Sequence, residues 1–152
     1  MAATIRIIRT DSSDKNFQEL VVQLDKDLAI RDGDEHAFYH QFNKITNLNQ
    51  VIVAYENDEA VGCGAIKAFT GDAMEVKRMF VPVAKRGSGI ASLILSALEK
   101  WAKELGNKKC VLETGKKQPE AIALYQKNGY KQIPNYGQYE GKDNSLCFEK
   151  AL

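Results

Sequence analysis

The sequence is poor in the features that mark secreted, membrane-spanning or disordered proteins. It contains three prolines and three cysteines among 152 residues, and no apolar run approaches the ~20 residues that a membrane-spanning helix needs. The N-terminal segment has no apolar run behind a basic patch, so we expect no signal peptide. Cys63, Cys110 and Cys147 are odd in number and far apart. This favours buried free thiols in a cytoplasmic protein over a disulfide framework.

The sequence also has no excess of one charge. Its formal net charge is +1, so overall charge gives no reason to expect binding to nucleic acid or to an acidic membrane, and any anion site must be local. Hydrophobic residues make up 44% and charged residues 27% of the chain, which is typical of a folded globular protein. We find no repeat, linker or low-complexity segment, and we predict one domain over residues 1–152.

Hydrophobic periodicity predicts an α+β fold. Apolar residues recur at steps of three and four from Phe17 to Leu28 and from Ile90 to Trp101, which predicts two amphipathic helices. Short polar turns separate three apolar segments between residues 51 and 81, which predicts an antiparallel meander. The predicted strands cover 5–8, 51–55, 60–69, 73–81, 110–113, 130–133 and 145–149. The predicted helices cover 15–30, 35–44, 90 to the break at Gly106, and 119–127.

The segment from Val81 to Ala91 carries the clearest signal for binding. A predicted strand ends there, a loop with Gly87 and Gly89 turns the chain, and a helix begins. Free backbone N–H groups and the helix dipole at such a helix start attract anions, and glycine lets the backbone come close to them. Lys85 and Arg86 add positive charge, so the expected ligand is a phosphate or a pyrophosphate.

Three other interpretations of this loop compete with anion binding. The glycines can make a tight turn that binds nothing. A Walker A loop would end in Gly-Lys-Ser or Gly-Lys-Thr, which this segment lacks. A dinucleotide-binding loop would need a third glycine where Ser92 stands. Glu113 lies at about the right distance for a ribose-binding acid, but the strands before the loop form antiparallel hairpins and too little chain follows for further βα units.

Two sequence blocks resemble the GNAT superfamily of acyl-CoA N-acyltransferases. Residues 86–91, Arg-Gly-Ser-Gly-Ile-Ala, match its acetyl-CoA signature Q/R-x-x-G-x-G/A at every specified position. Residues 119–130 resemble the A-x-x-L-Y-x-K-x-G-F/Y segment on the last helix, and residues 136–139 and 147–150 resemble a group of small bacterial GNAT proteins. The resemblance covers nearly the whole chain. It implies a mixed central sheet, with an antiparallel N-terminal meander and a splayed parallel pair at the cofactor, flanked by about four helices.

The resemblance implies an enzyme that transfers an acetyl group from acetyl-CoA to an amine of a small molecule or protein, by direct attack in a ternary complex and without a metal. It assigns the pyrophosphate to backbone N–H groups of residues 86–91 and the pantetheine arm to a strand edge. Gln118 stands where the family often has an asparagine that bonds this arm, and its amide offers the same donor and acceptor. The implied acetyl-CoA-binding residues are Met79, Phe80, Val81, Arg86, Gly87, Ser88, Gly89, Ile90, Ala91 and Gln118.

Tyr125 and Glu75 are the residues to which the resemblance gives catalytic roles. Tyr125 falls where many members keep a tyrosine near the cofactor sulfur, so that its phenol can protonate the leaving thiolate. Alternatively, Tyr125 is a packing residue. Glu75 lies eleven residues before Arg86, which is the spacing of the general base in several members. Alternatively, Glu75 is an exposed strand residue in an ion pair with Lys77 or Arg78, and a chain of waters removes the proton.

Two further groups of polar residues give weaker signals. His36 and His40 would share one face of a helix at metal-ligand spacing, but no third ligand with a motif follows, so we predict no metal site. Asp32, Asp34 and Glu35 form an acidic cluster. This cluster either attracts a cationic amine to the acceptor site or is a solvated loop with a helix cap.

The sequence leaves a second functional class open and does not identify the acceptor. A GNAT fold can also hold CoA as a non-catalytic sensor or partner-binding module. The intact loop together with Tyr125 and Glu75 favours the enzyme, and an oxidoreductase that binds a dinucleotide is a more distant alternative. The expected partners are acetyl-CoA and an amine of unidentified class. Dimers are common among similar proteins, so a homodimer is one expected state.

Overall fold

The computed structural model describes residues 4–40 and 47–152, which contain seven strands and four α-helices. The strands are β1 (Ile5–Thr10), β2 (Gln50–Glu56), β3 (Glu59–Ala68), β4 (Ala73–Phe80), β5 (Lys109–Gly115), β6 (Lys131–Ile133) and β7 (Ser145–Ala151). The helices are α1 (Lys15–Asp32), α2 (His36–His40), α3 (Ile90–Glu104) and α4 (Pro119–Lys127). All seven strands form one sheet in the order β1-β2-β3-β4-β5-β7-β6.

The elements predicted from periodicity are confirmed, and most of their ends differ from the prediction by one or two residues. The second predicted helix is the exception. A 3₁₀ turn at Gly33–Glu35 precedes it, it begins at His36, and it is described as far as His40. The remainder of that prediction, 41–44, lies outside the described residues. The α+β fold with a mixed sheet, predicted from the order of the elements and also implied by the resemblance, is confirmed.

Local chemistry explains where the helices begin and end. The side chain of Asp14 accepts a hydrogen bond from the backbone N–H of Phe17 at 3.0 Å, which caps the start of α1. Pro119 occupies the first position of α4, where the missing N–H of proline costs no hydrogen bond. Gly106 follows the end of α3 with a φ of 91°, a left-handed conformation that glycine adopts without strain.

The sheet opens between its two central strands. β1 to β4 pair antiparallel in sequence order, and β4 then pairs parallel with β5. That parallel pairing covers three residue pairs and ends at Glu75↔Val111, although both strands continue beyond it. The carboxyl-terminal halves of β4 and β5 therefore diverge, and a gap in the sheet opens where the two strands run on without bonding each other.

Helices on both faces of the sheet bury two sets of apolar side chains. On one face α3 contributes Ile94 and Leu98, which are fully buried with Ile52 of β2. On the opposite face α1 contributes Phe17, fully buried with Val53 of β2. Because neighbouring residues of β2 point to opposite faces, the strand serves both cores. Burial of each such side chain stabilises the fold by about 1.5–3 kcal/mol, so the sheet is held from both sides.

The three cysteines are buried and unpaired, as expected from the sequence. Within 4–40 and 47–152 no helix is both long enough and apolar enough to cross a membrane.

The packing of α3 on β3 depends on two glycines in that strand. A Cβ atom added at Gly62 would lie 2.8 Å from Cδ1 of Ile94 and 3.2 Å from the carbonyl oxygen of Phe80. A Cβ at Gly64 would lie 2.6 Å from Sδ of Met79 and 2.9 Å from Cδ1 of Leu98. Only a residue without a side chain lets the helix approach this closely.

We therefore predict that Gly62→Val lowers the free energy of unfolding by about 1–3 kcal/mol, because the added methyl groups overpack the α3 interface. Urea unfolding followed by circular dichroism measures this change. Ala68→Val, at the exposed end of the same strand, is the matched control and should change stability by less than about 0.5 kcal/mol. Equal stability of the two variants would mean that α3 does not constrain Gly62.

Candidate active site

The gap between β4 and β5 leads into a groove with a glycine-containing loop at one side, here called the glycine-loop groove. Its walls come from one side of α1, the end of β4, the loop before α3, the first turn of α3 and one side of α4. Nine of the ten residues expected to bind acetyl-CoA line it: Met79, Phe80, Val81, Arg86, Gly87, Gly89, Ile90, Ala91 and Gln118. Ser88 is the exception, and its hydroxyl donates instead to the carbonyl oxygen of Lys85 at 2.9 Å.

The loop presents open backbone to this groove. Gly87 and Gly89 both have a φ of 85°, which side chains other than glycine rarely allow. A Cβ atom added at either position would meet nothing within 4 Å, so the space in front of the loop is free. Among the described residues no side chain caps the N-terminus of α3. The first N–H groups of α3 are thus available to an anion.

The charges of the loop are arranged differently from the expectation. Lys85 lies 3.4 Å from a carboxylate oxygen of Glu56 and 3.7 Å from one of Glu59, so its charge is offset. The Nε–H of Arg86 donates to the carbonyl oxygen of Val81 at 2.8 Å. This bond ties the start of the loop to the end of β4. The backbone N–H groups of the loop and the charge of Arg86, rather than Lys85, are therefore its main features for anion binding.

The end of β4 carries a backbone irregularity beside the groove. The register of β4 on β3 shifts between the pairs Cys63↔Phe80 and Ala65↔Lys77, which leaves one extra residue on β4. Arg78, within this bulge, has a φ of 58°. Its guanidinium contacts Asp25 of α1. Such bulges bend a strand and redirect its backbone groups, and here the strand bends at the point where its β5 partner has left it.

A second cavity adjoins the glycine-loop groove and is here called the acidic pocket. Three carboxylates line it, Asp32 at the end of α1, Glu75 on β4 and Glu113 on β5, together with Lys77 and Arg78. The two cavities share a wall formed by Leu24, Met79, Gln118, Ala121 and Tyr125. Because the cation of Arg78 is already paired with Asp25, the carboxylates of the pocket outnumber its remaining cations.

Tyr125 lies in the wall that the two cavities share. Its ring packs edge-on against Tyr130, with 5.8 Å between the centroids, and against Phe148. Burial, with the nearby charge of Glu113, raises the pKa of the Tyr125 phenol well above its usual value of 10.0. Tyr125 is thus a packing residue and also a protonated hydroxyl between the groove and the pocket, so the two interpretations of this residue are compatible.

Glu75 is buried, so the alternative that it is an exposed strand residue is wrong. One of its carboxylate oxygens accepts a hydrogen bond from the hydroxyl of Tyr136 at 2.6 Å. The other lies 3.8 Å from the ammonium of Lys77, so the ion pair with Lys77 is present. The ion pair of Arg78 is made with Asp25 instead.

Glu113 is the site residue that sequence reasoning missed, since it was considered only as a ribose-binding acid. Burial raises the pKa of Glu113 from 4.5 to about 7, against the lowering effects of a hydrogen bond from Ser145 and the charge of Lys77. The charges of Asp32 and Glu75 raise it further. The available signal was a glutamate that directly follows the apolar run 110–112, two residues beyond the last pairing of β4 with β5.

Of the acidic cluster and the two histidines singled out in the sequence, Asp32 lines the acidic pocket. Asp32 is buried in the pocket, where burial raises the pKa of its carboxyl, but Asp34 and Glu35 are exposed. His36 and His40 lie 5.2 Å apart between ring centroids on α2. In the described part of the chain no group of three or more histidine, cysteine or acidic side chains is placed to hold a metal ion.

Comparison with known proteins identifies the family. The chain matches the model of the acetyltransferase (GNAT) family over residues 16–130. The chain belongs to the GNAT acetyltransferase family. It is 35% identical over 151 residues to a protein of Azospirillum brasilense named IAA acetyltransferase. The alignment covers 94% of this chain and 97% of that protein.

Solved structures of GNAT proteins share the fold over almost the whole chain. A Klebsiella pneumoniae protein proposed to be an acyl-CoA N-acyltransferase aligns with a TM-score of 0.83 and 28% identity, over 99% of both chains. PaiA N-acetyltransferase of Thermoplasma acidophilum, solved in complex with coenzyme A, aligns with a TM-score of 0.70 and 17% identity, over 98% of this chain and 99% of that chain. At the latter identity the likeness shows the fold alone.

We predict that Glu113→Gln stabilises this GNAT protein at pH 8 but not at pH 4. Since the pKa of Glu113 rises from 4.5 to about 7 on folding, the folded protein holds a proton there that the unfolded chain has already released. The free energy of unfolding therefore decreases as the pH rises from 4.5 to about 7, and at higher pH the full loss of stability is present. Removing the carboxyl removes that cost.

Thermal unfolding at several pH values checks this prediction. The melting temperature of Glu113→Gln should exceed that of the wild type at pH 8 by at least ~2–4 °C, the shift that about 1 kcal/mol produces in a domain of this size. The gain should disappear towards pH 4. Glu140→Gln, at an exposed position, should give no pH-dependent gain. A Glu113→Gln variant less stable than the wild type at pH 8 would show that the carboxylate is net stabilising.

Proposed function

We propose that this protein transfers an acetyl group from acetyl-CoA to an amine, by direct attack of the amine in a ternary complex. The observation that carries the proposal is the meeting of two cavities at Tyr125. One cavity offers free helix N–H groups and an unpaired strand edge, which suit a phosphate-bearing arm. The other offers carboxylates, which suit a cationic amine. A protonated phenol between them is placed where the two substrates would react.

The glycine-loop groove offers suitable groups for the pyrophosphate and for the pantetheine arm of acetyl-CoA. The N–H groups at the start of α3, beside Gly87 and Gly89, are suited to the pyrophosphate. The edge of β4 from Met79 to Val81 has lost its β5 partner, so it can bond an extended pantetheine arm as a strand would. Gln118 lines the same groove. Acetyl-CoA supplies the activated acetyl thioester, and the capture of coenzyme A by a fold relative supports this placement.

The groups around the junction of the two cavities supply the chemistry that acetyl transfer needs. The Tyr125 phenol is protonated at neutral pH, so it has a proton that it can give to the departing thiolate. A backbone N–H near Phe80 or Val81, beside the bulge in β4, would stabilise the oxyanion that develops on the carbonyl. The carboxylates of the acidic pocket, Glu75 among them, lie where the amine must lose its proton.

The central experiment is calorimetric titration with acetyl-CoA, followed by thiol-release assays with spermidine, tyramine and L-lysine in the same buffer. Micromolar binding together with thiol release for one amine supports the enzyme and identifies its acceptor class. Binding without release for a wider amine panel would favour a CoA-binding sensor on the same fold. If acetyl-CoA does not bind, the proposal is wrong.

We expect Tyr125→Phe to lower kcat by about 10²-fold or more, which is the usual contribution of a positioned acid. The dissociation constant for acetyl-CoA should change by less than about twofold, because phenylalanine keeps the ring contacts with Tyr130 and Phe148. Steady-state kinetics and calorimetry separate these effects. Tyr130→Phe removes another buried hydroxyl from the same aromatic cluster and should leave kcat near the wild-type value. An unchanged kcat in Tyr125→Phe would exclude this residue as the acid.

We expect Gly89→Ala to weaken acetyl-CoA binding by about tenfold. Alanine at a φ of 85° is strained by about 1–2 kcal/mol, so the free loop relaxes and binding must restore its conformation. Calorimetry measures the loss. Gly71→Ala is the matched control, because Gly71 also has a positive φ of 52° and open surroundings but lies in a remote turn. If Gly89→Ala bound acetyl-CoA as tightly as Gly71→Ala, the loop backbone would not hold the ligand.

A further inference from the structure

Acetylation of an amine requires that its nitrogen lose protons. A primary amine with a pKa near ~10 is an ammonium ion at neutral pH, and its nitrogen then has no lone pair for attack. The acidic pocket offers three carboxylates that could take the proton, Asp32, Glu75 and Glu113. Their surroundings differ, and these differences decide between them.

Glu75 is already committed to other donors. One of its oxygens accepts the hydroxyl of Tyr136 at 2.6 Å, and the other lies 3.8 Å from the ammonium of Lys77. It belongs to the last residue pair of the β4–β5 ladder, with Val111 as its partner. These contacts make Glu75 part of the buried wall that holds Tyr136 and Lys77.

Asp32 lies at the end of α1, near the carboxyl end of β5. Its Oδ1 is 4.0 Å from the position that a Cβ of Gly115 would occupy. Burial raises the pKa of its carboxyl, and the charge of Lys117 opposes that rise. Because Asp32 lies by Gly115, the last residue of β5, it is suited to attract a cation into the pocket rather than to remove a proton at the thioester.

Glu113 is only partly buried, whereas Glu75 is buried, so Glu113 is the more accessible of the two to a substrate in the pocket. It stands on β5 two residues past Val111, where the strand has left β4 and borders the pocket. Glu113 and Tyr125 both line the acidic pocket, so the carboxylate and the proposed acid border the same space. We propose that Glu113 is the general base, which accepts the proton of a cationic amine, and that Glu75 is a positioning residue. This rests on the acetyltransferase function proposed above.

The surroundings of Glu113 suit the task. Burial raises the pKa of its carboxyl to about 7, and a base whose pKa lies near the working pH combines a useful deprotonated fraction with affinity for the proton. The titratable and charged groups that face it come from every element around the pocket. They are Lys77 and Glu75 on β4, Asp32 on α1, Tyr39 on α2, Tyr125 on α4, Tyr139 in the 3₁₀ turn before β7, and Cys147 on β7.

The proton balance of the proposed reaction closes with these groups. The Glu113 carboxylate takes one proton from the ammonium, and the freed lone pair forms the C–N bond to the acetyl carbon. The C–S bond of the thioester breaks, its electron pair stays on sulfur, and Tyr125 gives the sulfur its proton. The second proton on nitrogen, acidic once the C–N bond has formed, returns to the Tyr125 phenolate through water. Glu113 then releases its proton to solvent, and nothing is oxidised or reduced.

The test compares Glu113→Gln with Glu75→Gln, two isosteric neutral replacements in one pocket. For the amine with the highest turnover among spermidine, tyramine and L-lysine, kcat/KM is measured from pH 5.5 to 9.5. The kcat/KM of the wild type should decrease as the pH is lowered below about 7 and should stay constant above that pH. Glu113→Gln should lose about 10²-fold or more at pH 7.5. Its kcat/KM should keep rising towards the pKa of the amine, because only free amine can then react. Glu75→Gln should lower kcat/KM at every pH but should keep the decrease in kcat/KM below about pH 7.

A readout without acceptor separates this proposal from the proposed function. In protein labelled with ¹³C at glutamate carboxyl carbons, one signal should titrate near pH 7 and be absent from Glu113→Gln. The proposal is overturned if Glu113→Gln keeps the wild-type pH profile, if Glu75→Gln alone abolishes the fall below pH 7, or if no glutamate titrates between pH 6 and 8. Failure of the wild type to bind acetyl-CoA would instead remove the proposed function itself.

Discussion

The early end of the β4–β5 pairing is the constraint on which the rest of the site depends. After Glu75↔Val111 the two strands diverge, and backbone groups of β4 that would otherwise bond a neighbouring strand face a groove. Unpaired backbone groups are costly when they are buried, so this edge must face solvent or a ligand. The bulge at Arg78 and the loop that Arg86 ties back to Val81 shape the same opening. The gap in the sheet thus leaves the edge of β4 open to the groove. The glycine loop and Tyr125 can contribute to a site there because both line that groove.

The features that could be predicted from the sequence depend on neighbours close along the chain. The period of apolar residues on α3, the polar turns of the meander and Pro119 at the start of α4 are local signals, and the elements they predict are present. The loop at Gly87 and Gly89 is equally local, because a strand end, two glycines and a helix start specify a turn of one kind. Its place in the groove follows directly from these elements.

The features that could not be predicted depend on contacts across the sheet. Glu75 looked like an exposed strand residue as well as a base, and only the register of β4 on β5, with Tyr136 placed against it, shows that it is buried. Lys85 looked like a free cation, but the β2–β3 hairpin brings Glu56 and Glu59 to it. Glu113 meets Glu75 and Asp32 only after three distant segments have folded together, and no spacing along the chain encodes that meeting.

The acidic pocket costs stability, and this cost indicates what the pocket is for. Buried carboxylates near one another oppose folding at neutral pH, and apolar residues would fill the same space without that penalty. The arrangement gains a coupling between Glu113 and Tyr125, because the Glu113 charge adds to the burial that raises the pKa of the Tyr125 phenol. In the proposed reaction, Glu113 becomes neutral when it takes the amine proton. That removes a negative charge beside Tyr125 and makes its phenol a better acid at the moment when the thiolate departs. Proton uptake at one side of the junction thus prepares proton donation at the other.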